Sequence, residues 1–145
     1  MKRFLSACAL AVILSSSTAY AQKISESPQT DPRTTPAYSV LIQRKVKVQA
    51  ELESLLMEYG SEWPGAKTLQ LELDALRIEM KRMLELTEPK LSKLTAGYGT
   101  LILRRVSLDT EIQTLLLEEG SEWPGVKEKQ RELELLDKEI QKIMK

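Results

Sequence analysis

Apolar side chains recur at every third or fourth position over two long stretches in the middle of the chain. The first stretch carries them at Tyr38, Leu41, Val48, Leu52, Leu55 and Tyr59. The second carries them at Ala66, Leu69, Leu73, Leu76, Met80 and Met83. Spacing of this kind places the side chains on one face of an α-helix, so the pattern predicts two amphipathic helices.

The first predicted helix has a wider apolar stripe than a contact with one other helix needs. Ile42, Val46 and Leu56 flank the main row, and a stripe of this width is typical of a helix packed inside a bundle. We therefore expect neighbouring helices to cover these side chains. Lys45 is the one polar interruption of the row.

The whole pattern is repeated 60 residues further along the chain. Of the 48 aligned pairs between residues 38–85 and 98–145, 21 are identical, without a gap. Polar residues interrupt the rows of the second copy at Arg105, which matches Lys45, and at Lys129. These cations are either buried points of packing specificity or long side chains whose charged ends reach solvent. A repeat of this length predicts two similarly folded units.

Residue types that begin and end helices mark the boundaries of each copy. Thr35 followed by Pro36 predicts an N-cap and a first-turn proline, and Thr95 occupies the equivalent position. The segment GSEWPG separates the two helices of each copy. In it we expect glycine in the left-handed conformation, serine as the cap of the following helix and proline in that helix's first turn. The predicted turn residues are Gly60, Ser61, Pro64 and Gly65 in the first copy, and Gly120, Ser121, Pro124 and Gly125 in the second.

These patterns predict an all-α protein made of two tandem antiparallel helical hairpins with coiled-coil-like seams. The hairpins span residues 35–86 and 95–145, joined by a linker over residues 87–94. Residues 22–34, rich in Ser, Thr and Pro, are typical of a disordered lead-in. The hairpins either pack together as a four-helix bundle or extend end to end. Because a lone hairpin buries little apolar surface, we expect packing between hairpins or between chains.

The first 21 residues have the order of features of a secretory signal peptide. Lys2 and Arg3 supply positive charge, residues 4–14 are apolar apart from one serine, and small residues precede Gln22. This run is shorter than the roughly 20 residues that a membrane-spanning helix needs. Cys8 lies ahead of most of the run, whereas a lipidated cysteine follows it. We predict cleavage after Ala21 and export to the periplasm or the extracellular space.

The composition argues against catalysis and against nucleic-acid binding. The chain has no histidine and one cysteine, which removes the commonest general base and a cysteine-built metal site. Without Lys2 and Arg3 the chain carries 19 basic and 21 acidic side chains, so it has no positive excess to bind phosphates. We expect a non-enzymatic protein with no cofactor, no metal, no nucleic-acid partner and no transmembrane segment after signal cleavage.

Glutamates cluster around both predicted turns, and in principle they could ligate calcium or form an acid–base pair. Their spacing does not match a calcium-binding loop, and two helices provide no pocket for a pair of carboxylates. The favoured interpretation is a set of solvated charges near helix ends. These residues are Glu58, Glu62, Glu118, Glu119 and Glu122.

The two tryptophans are the most informative feature, because both lie in the duplicated turn segment. Trp63 and Trp123 each precede a proline, Pro64 and Pro124. In the favoured interpretation each ring folds over its own hairpin end, onto residues such as Leu56 or Leu116. In the other, the Trp-Pro pairs are exposed contacts for a partner, since tryptophan is a common binding anchor.

The turn and its flanking heptads resemble the coiled-coil hairpins of bacterial polysaccharide chain-length determinants and related envelope export proteins. Those hairpins often turn through Tyr-Thr-x-x-His-Pro-x-Val, and the corresponding residues here are Tyr59, Gly60, Trp63, Pro64 and Ala66. Trp replaces His and Gly replaces Thr. The resemblance covers the hairpins and not the family's membrane helices or nucleotide site. It implies a helical hairpin, and it makes polysaccharide machinery a candidate partner.

Two functions fit these features. The favoured hypothesis is an exported, non-enzymatic helical scaffold or interaction module of the bacterial cell envelope, with a protein partner or self-association. The alternative is a periplasmic helical chaperone or stress protein, similar to small all-helical proteins with LTxxQ motifs. Residues 86–90, Leu-Thr-Glu-Pro-Lys, share the beginning of that motif and end in Lys.

Overall fold

The computed structural model describes residues 31–145, and this part of the chain is all-helical. Its helices are α1 (Pro36–Tyr59), α2 (Pro64–Leu84), α3 (Ala96–Glu118) and α4 (Pro124–Met144), with short 3₁₀ turns at Pro32–Thr34 and Lys90–Lys93. None of these helices combines the length and the hydropathy that crossing a membrane requires. The predicted signal peptide and residues 22–30 of the predicted lead-in lie outside the described residues.

Helices α1 and α3 begin directly after Thr35 and Thr95, the threonines that were predicted to be their N-caps. The side-chain oxygen of Thr35 accepts a hydrogen bond from the backbone N–H of Tyr38 at 3.4 Å, and Pro36 opens α1. Thr95 makes the equivalent bond to Tyr98 at 3.2 Å. Each bond satisfies one of the amides that a helix start leaves without a partner.

The two hairpins pack side by side. α1 pairs with α2 and α3 with α4, as predicted, and α3 also packs against both α1 and α2. At the start of α3, Gly99 lies so close to α1 that a Cβ added to it would be 2.9 Å from the Cα of Ala37. The first turns of α1 and α3 therefore touch, and the two helices run in the same direction.

The connection between the hairpins is itself part of the core. Leu91 and Leu94 are buried, and the carbonyl of Leu94 accepts a hydrogen bond from the amide of Ala37 at 3.1 Å. Pro32–Thr34, which the sequence assigned to a disordered lead-in, form a 3₁₀ turn, and the carboxylate of Asp31 before it accepts a hydrogen bond from the amide of Arg33. The Ala37–Leu94 hydrogen bond joins the start of α1 to the linker, and the 3₁₀ turn packs against α1 and α2.

Most of the predicted apolar rows are buried, but the widened stripe of α1 is not. Ile42, Val46 and Leu56 are exposed, so the expectation that neighbouring helices cover them is wrong. The contacts of α1 with α2 and α3 bury Leu41, Val48 and Leu52 and leave Ile42 and Val46 uncovered, while Leu56 borders an open groove. Tyr59, at the end of the row, is also about half exposed.

The cations that interrupt the rows do not share one role. Arg105 on α3 donates to Glu79 of α2 and, at 2.6 Å, to Asp137 of α4, and thus joins three helices. Burial by itself would lower the pKa of Arg105, but these two carboxylates outweigh it and raise that pKa. Lys129 pairs with Glu111 of α3 at 2.7 Å. Lys45 lies half-buried on α1.

The close approach of Gly99 to α1 predicts a difference between two neighbouring glycines. We expect Gly99→Ala to lower the free energy of unfolding by about 1–3 kcal/mol, because the new methyl group must push the two helices apart. A Cβ added to Gly97 would meet the Thr95 Oγ1 at an ordinary contact distance of 3.7 Å, so Gly97→Ala should leave stability unchanged or raise it by up to about 1 kcal/mol. Urea denaturation of both variants measures the difference, and equal stabilities would contradict the packing described.

Candidate functional site at the hairpin turns

Each hairpin reverses through a glycine with positive φ. Gly60 and Gly120 both have φ of +83°, a backbone conformation that costs other residues energy and glycine almost none. The ψ of Gly60 is 175°, so the positive φ is the part of the predicted left-handed conformation that this residue has. The amide of Gly60 still bonds the carbonyl of Leu56 at 3.1 Å, so the glycine closes the last turn of α1 before the chain leaves it.

The predicted caps of the second helices are wrong. Trp63 and Trp123 are the N-cap residues of α2 and α4, and neither supplies a side-chain hydrogen bond. Ser61 and Ser121 lie two residues before the N-cap positions, too early in the turn to act as N-caps. The prolines do open their helices, as predicted, at Pro64 and Pro124.

An ion pair spans the beginning of each second helix. Lys67 lies 2.7 Å from Glu62, and Lys127 lies 3.1 Å from Glu122, the same pair in the second copy. The lysine lowers the pKa of the Glu62 carboxyl by hydrogen bonding and by its charge. Because the glutamates are solvent-exposed, each pair adds little stability. Sequence reasoning missed these pairs, although the identity of both partners in the two copies was a signal.

The Trp63 ring folds back onto its own hairpin and still faces solvent. It stacks on Tyr59 with ring centroids 4.8 Å apart, and 46% of the residue is exposed. A Cβ added to Gly65 would be 3.0 Å from the indole nitrogen, so the missing side chain at that position gives the ring its place. The Tyr59 phenol interacts with Glu58, which raises the pKa of the tyrosine.

The Trp123 ring also folds back onto its own hairpin, but among the described residues it has no aromatic ring stacked on it. It lies over Gly125, where any Cβ would overlap the indole, and 43% of the residue is exposed. Glu119 occupies the position of Tyr59 in this copy. Each ring therefore lies against the glycine in the first turn of the helix that it precedes, and nearly half of each tryptophan is exposed to solvent.

Both turns lie at the same end of the bundle, because α1 and α3 run in the same direction. At this end Leu117 of α3 borders a mainly apolar groove of about 250 Å³ with Leu52, Leu56, Ala66 and Leu71. We define the tip surface as the exposed apolar residues of this end, which are Leu56, Met57, Tyr59, Trp63, Leu117 and Trp123.

The acidic side chains near the turns do not form a metal-binding group in the described part of the chain. Between residues 31 and 145 no three Asp, Glu, His or Cys side chains are grouped closely enough to hold a metal ion. The turn glutamates considered as calcium ligands include Glu62 and Glu122, which pair with lysines.

Comparisons with known proteins found no relatives. No protein-family model matches the chain. No curated protein and no solved structure matches it either. The resemblance to the hairpins of polysaccharide chain-length determinants therefore stays a prediction.

The contact between the Trp123 ring and Gly125 can be tested by fluorescence. In a Trp63→Phe background, where Trp123 is the only tryptophan, Gly125→Ala should displace the ring into solvent. We expect a red-shifted emission and stronger quenching by acrylamide, with the overall helix content unchanged. Gly97→Ala in the same background is the control and should leave the emission in place. An unchanged spectrum of the Gly125 variant would show that the ring does not depend on this glycine.

Proposed function

We propose that the chain is an exported, non-enzymatic helical interaction module of the bacterial cell envelope, which binds a macromolecular partner through the tip surface. The observation that carries this proposal is the concentration of half-exposed aromatic and apolar side chains at one end of the bundle. Tryptophan and tyrosine are frequent anchors of protein interfaces because each buries a large area at a small entropic cost.

The construction of the turns supports a binding role. An aromatic ring that only closes a hairpin stabilises it most when it is buried, yet both tryptophans remain nearly half exposed. Positive-φ glycines, Trp-Pro corners and lysine–glutamate pairs hold both turns in similar shapes. A preformed contact surface loses less entropy when it binds.

The envelope location depends on residues 1–21, whose order of charged, apolar and small residues is that of a signal peptide. The resemblance of the turn to that of chain-length determinants agrees with the same location. A periplasmic chaperone is the alternative function, and the exposed apolar surface would serve it too.

A photo-crosslinking residue placed in the tip surface tests the proposal. Met57, at 84% exposure, is a suitable position. Lys90, which is exposed in the linker at the opposite end, is the matched control. In cells that express the whole chain, we expect a discrete crosslinked product from position 57, none from position 90, and loss of the product on Trp63→Ala with Trp123→Ala.

Cells that express the same chain also test its export and distinguish a specific partner contact from a chaperone function. We expect the N-terminus of the recovered chain to be Gln22, by mass spectrometry of a fraction outside the cytoplasm. Equal crosslinking from both positions would contradict a specific tip contact. Suppression of the aggregation of an unfolded client at near-equal ratio, with diffuse crosslinks in place of a discrete product, would favour the chaperone.

A further inference from the structure

The interface between the two hairpins buries residues whose counterparts in the first copy lie in solvent. Ile102 and Val106 of α3 face the first hairpin and are each 2% exposed. The same residue types at the equivalent positions of α1, Ile42 and Val46, are 40% and 62% exposed. We define the front face as the exposed residues Ile42, Val46 and Ala50 together with the half-buried Lys45.

The opposite side of the molecule shows the reverse relation. Met83 of α2, covered by the second hairpin, is 2% exposed, whereas its counterpart Ile143 on α4 is 39% exposed. Leu136 and Glu139 are likewise more exposed than their counterparts in α2. We call Leu135, Leu136, Glu139 and Ile143 the back face. In each copy of the repeat, the face that is exposed to solvent is equivalent to a face that is buried in the other copy.

The charges of the two open faces match as well. Inside the molecule Arg105 donates to Glu79 across the hairpin interface, and Arg82 pairs with the same carboxylate. Lys45 stands at the position of Arg105, and Glu139 at that of Glu79. Lys142, at the position of Arg82, already pairs with Glu139 at 2.6 Å. The front face therefore offers a cation, and the back face offers a carboxylate, in equivalent places.

We propose that a second copy of this chain covers these faces by head-to-tail stacking. In this arrangement α1 of one chain packs through its front face against α3 and α4 of the next chain. Its position is equivalent to that of α3, which packs against α1 and α2 within the chain. A groove of about 620 Å³ runs along the back face between Arg104, Leu135 and Lys142, where α1 of the next copy would lie. This proposal goes beyond the proposed function and uses a surface other than the tip.

One difference between the copies makes the contact between chains looser than the contact within the chain. Ser39 stands at the position of Gly99, the residue of closest approach. The extra side chain keeps the two helices slightly further apart, so the association between chains is weaker and depends on concentration. A head-to-tail contact repeats until it closes into a ring or continues as a filament.

Two substitutions that block one face each provide the test. Val46→Glu places a carboxylate in the front face, and Ile143→Glu places one in the back face. Both positions are exposed in the single chain, so each variant should keep its fold, as circular dichroism can verify. By analytical ultracentrifugation we expect the unaltered chain, encoded in full, to associate with rising concentration and each variant alone to stay monomeric.

Mixing the two variants gives the decisive result. The first keeps an intact back face and the second an intact front face, so the mixture should form a one-to-one dimer and nothing larger. Association of only one of the two variants would overturn the proposal, since it indicates a symmetric contact between like faces. An unaltered chain that stays monomeric at its highest soluble concentration would overturn it too. Trp63→Ala should leave stacking intact, which separates this proposal from the tip contact.

Charge exchange tests the pairing of Lys45 with Glu139. Lys45→Glu or Glu139→Lys alone should weaken association at least about tenfold, because each brings like charges together. Both in the same chain should restore most of the loss. Lys47→Glu and Glu134→Lys, exposed residues on other sides of the same helices, are the controls and should have little effect. Failure of the double variant to recover would contradict the proposed register.

Discussion

The two helices of a hairpin can bury only the apolar side chains that lie between them. Apolar side chains on their other faces are buried only if a third element packs against the hairpin. In this protein α3 is that element for the first hairpin, because it packs against both α1 and α2. Burying a side chain such as Ile102 or Val106 contributes about 1.5–3 kcal/mol relative to leaving it in water. Gly99 allows the close contact by having no side chain at the point where α1 and α3 touch. The linker leucines and the Arg105 ion pairs are gathered around the same junction.

The same ion pair occurs in both copies of the repeat, but its contribution to stability depends on how deeply the surrounding helices bury it. Arg44 donates twice to Glu72, at 2.6 and 2.8 Å, and Arg104 bonds Glu132 at 2.5 Å, the same pair in the second hairpin. Glu72 is buried, whereas Glu132 is half exposed. Removing Arg44 would leave a buried charge without its partner, which is costly, whereas water can solvate Glu132. Identical residues therefore fix the first hairpin more firmly than the second.

The helices, their boundaries and the turns could be predicted, because each depends on residues close together in sequence. Thr35 and Thr95 cap their helices, the chain reverses at the two positive-φ glycines, and most of the row from Ala66 to Met83 is buried. The exposure of Ile42 and Val46 could not be predicted, because periodicity defines the faces of a helix but not which of them receives a neighbour. The resting place of each tryptophan depends in the same way on an open position above Gly65 and Gly125. Ser61 and Ser121 are of a residue type that caps helices, but the turn continues for two more residues, and the extended Trp63 and Trp123 occupy the N-cap positions.

The two proposed surfaces lie in directions that do not compete. Stacking through the front and back faces adds hairpins side by side with their helices in the same direction, as α3 already runs with α1. The turns of every added chain therefore fall at the same end, and a stack presents a row of Trp-Pro tips in place of a single pair. A weak contact at each tip then becomes strong through multivalency, because binding of one tip raises the effective concentration of the next. Duplication within the chain is the smallest form of this arrangement, with two tips on one rigid base.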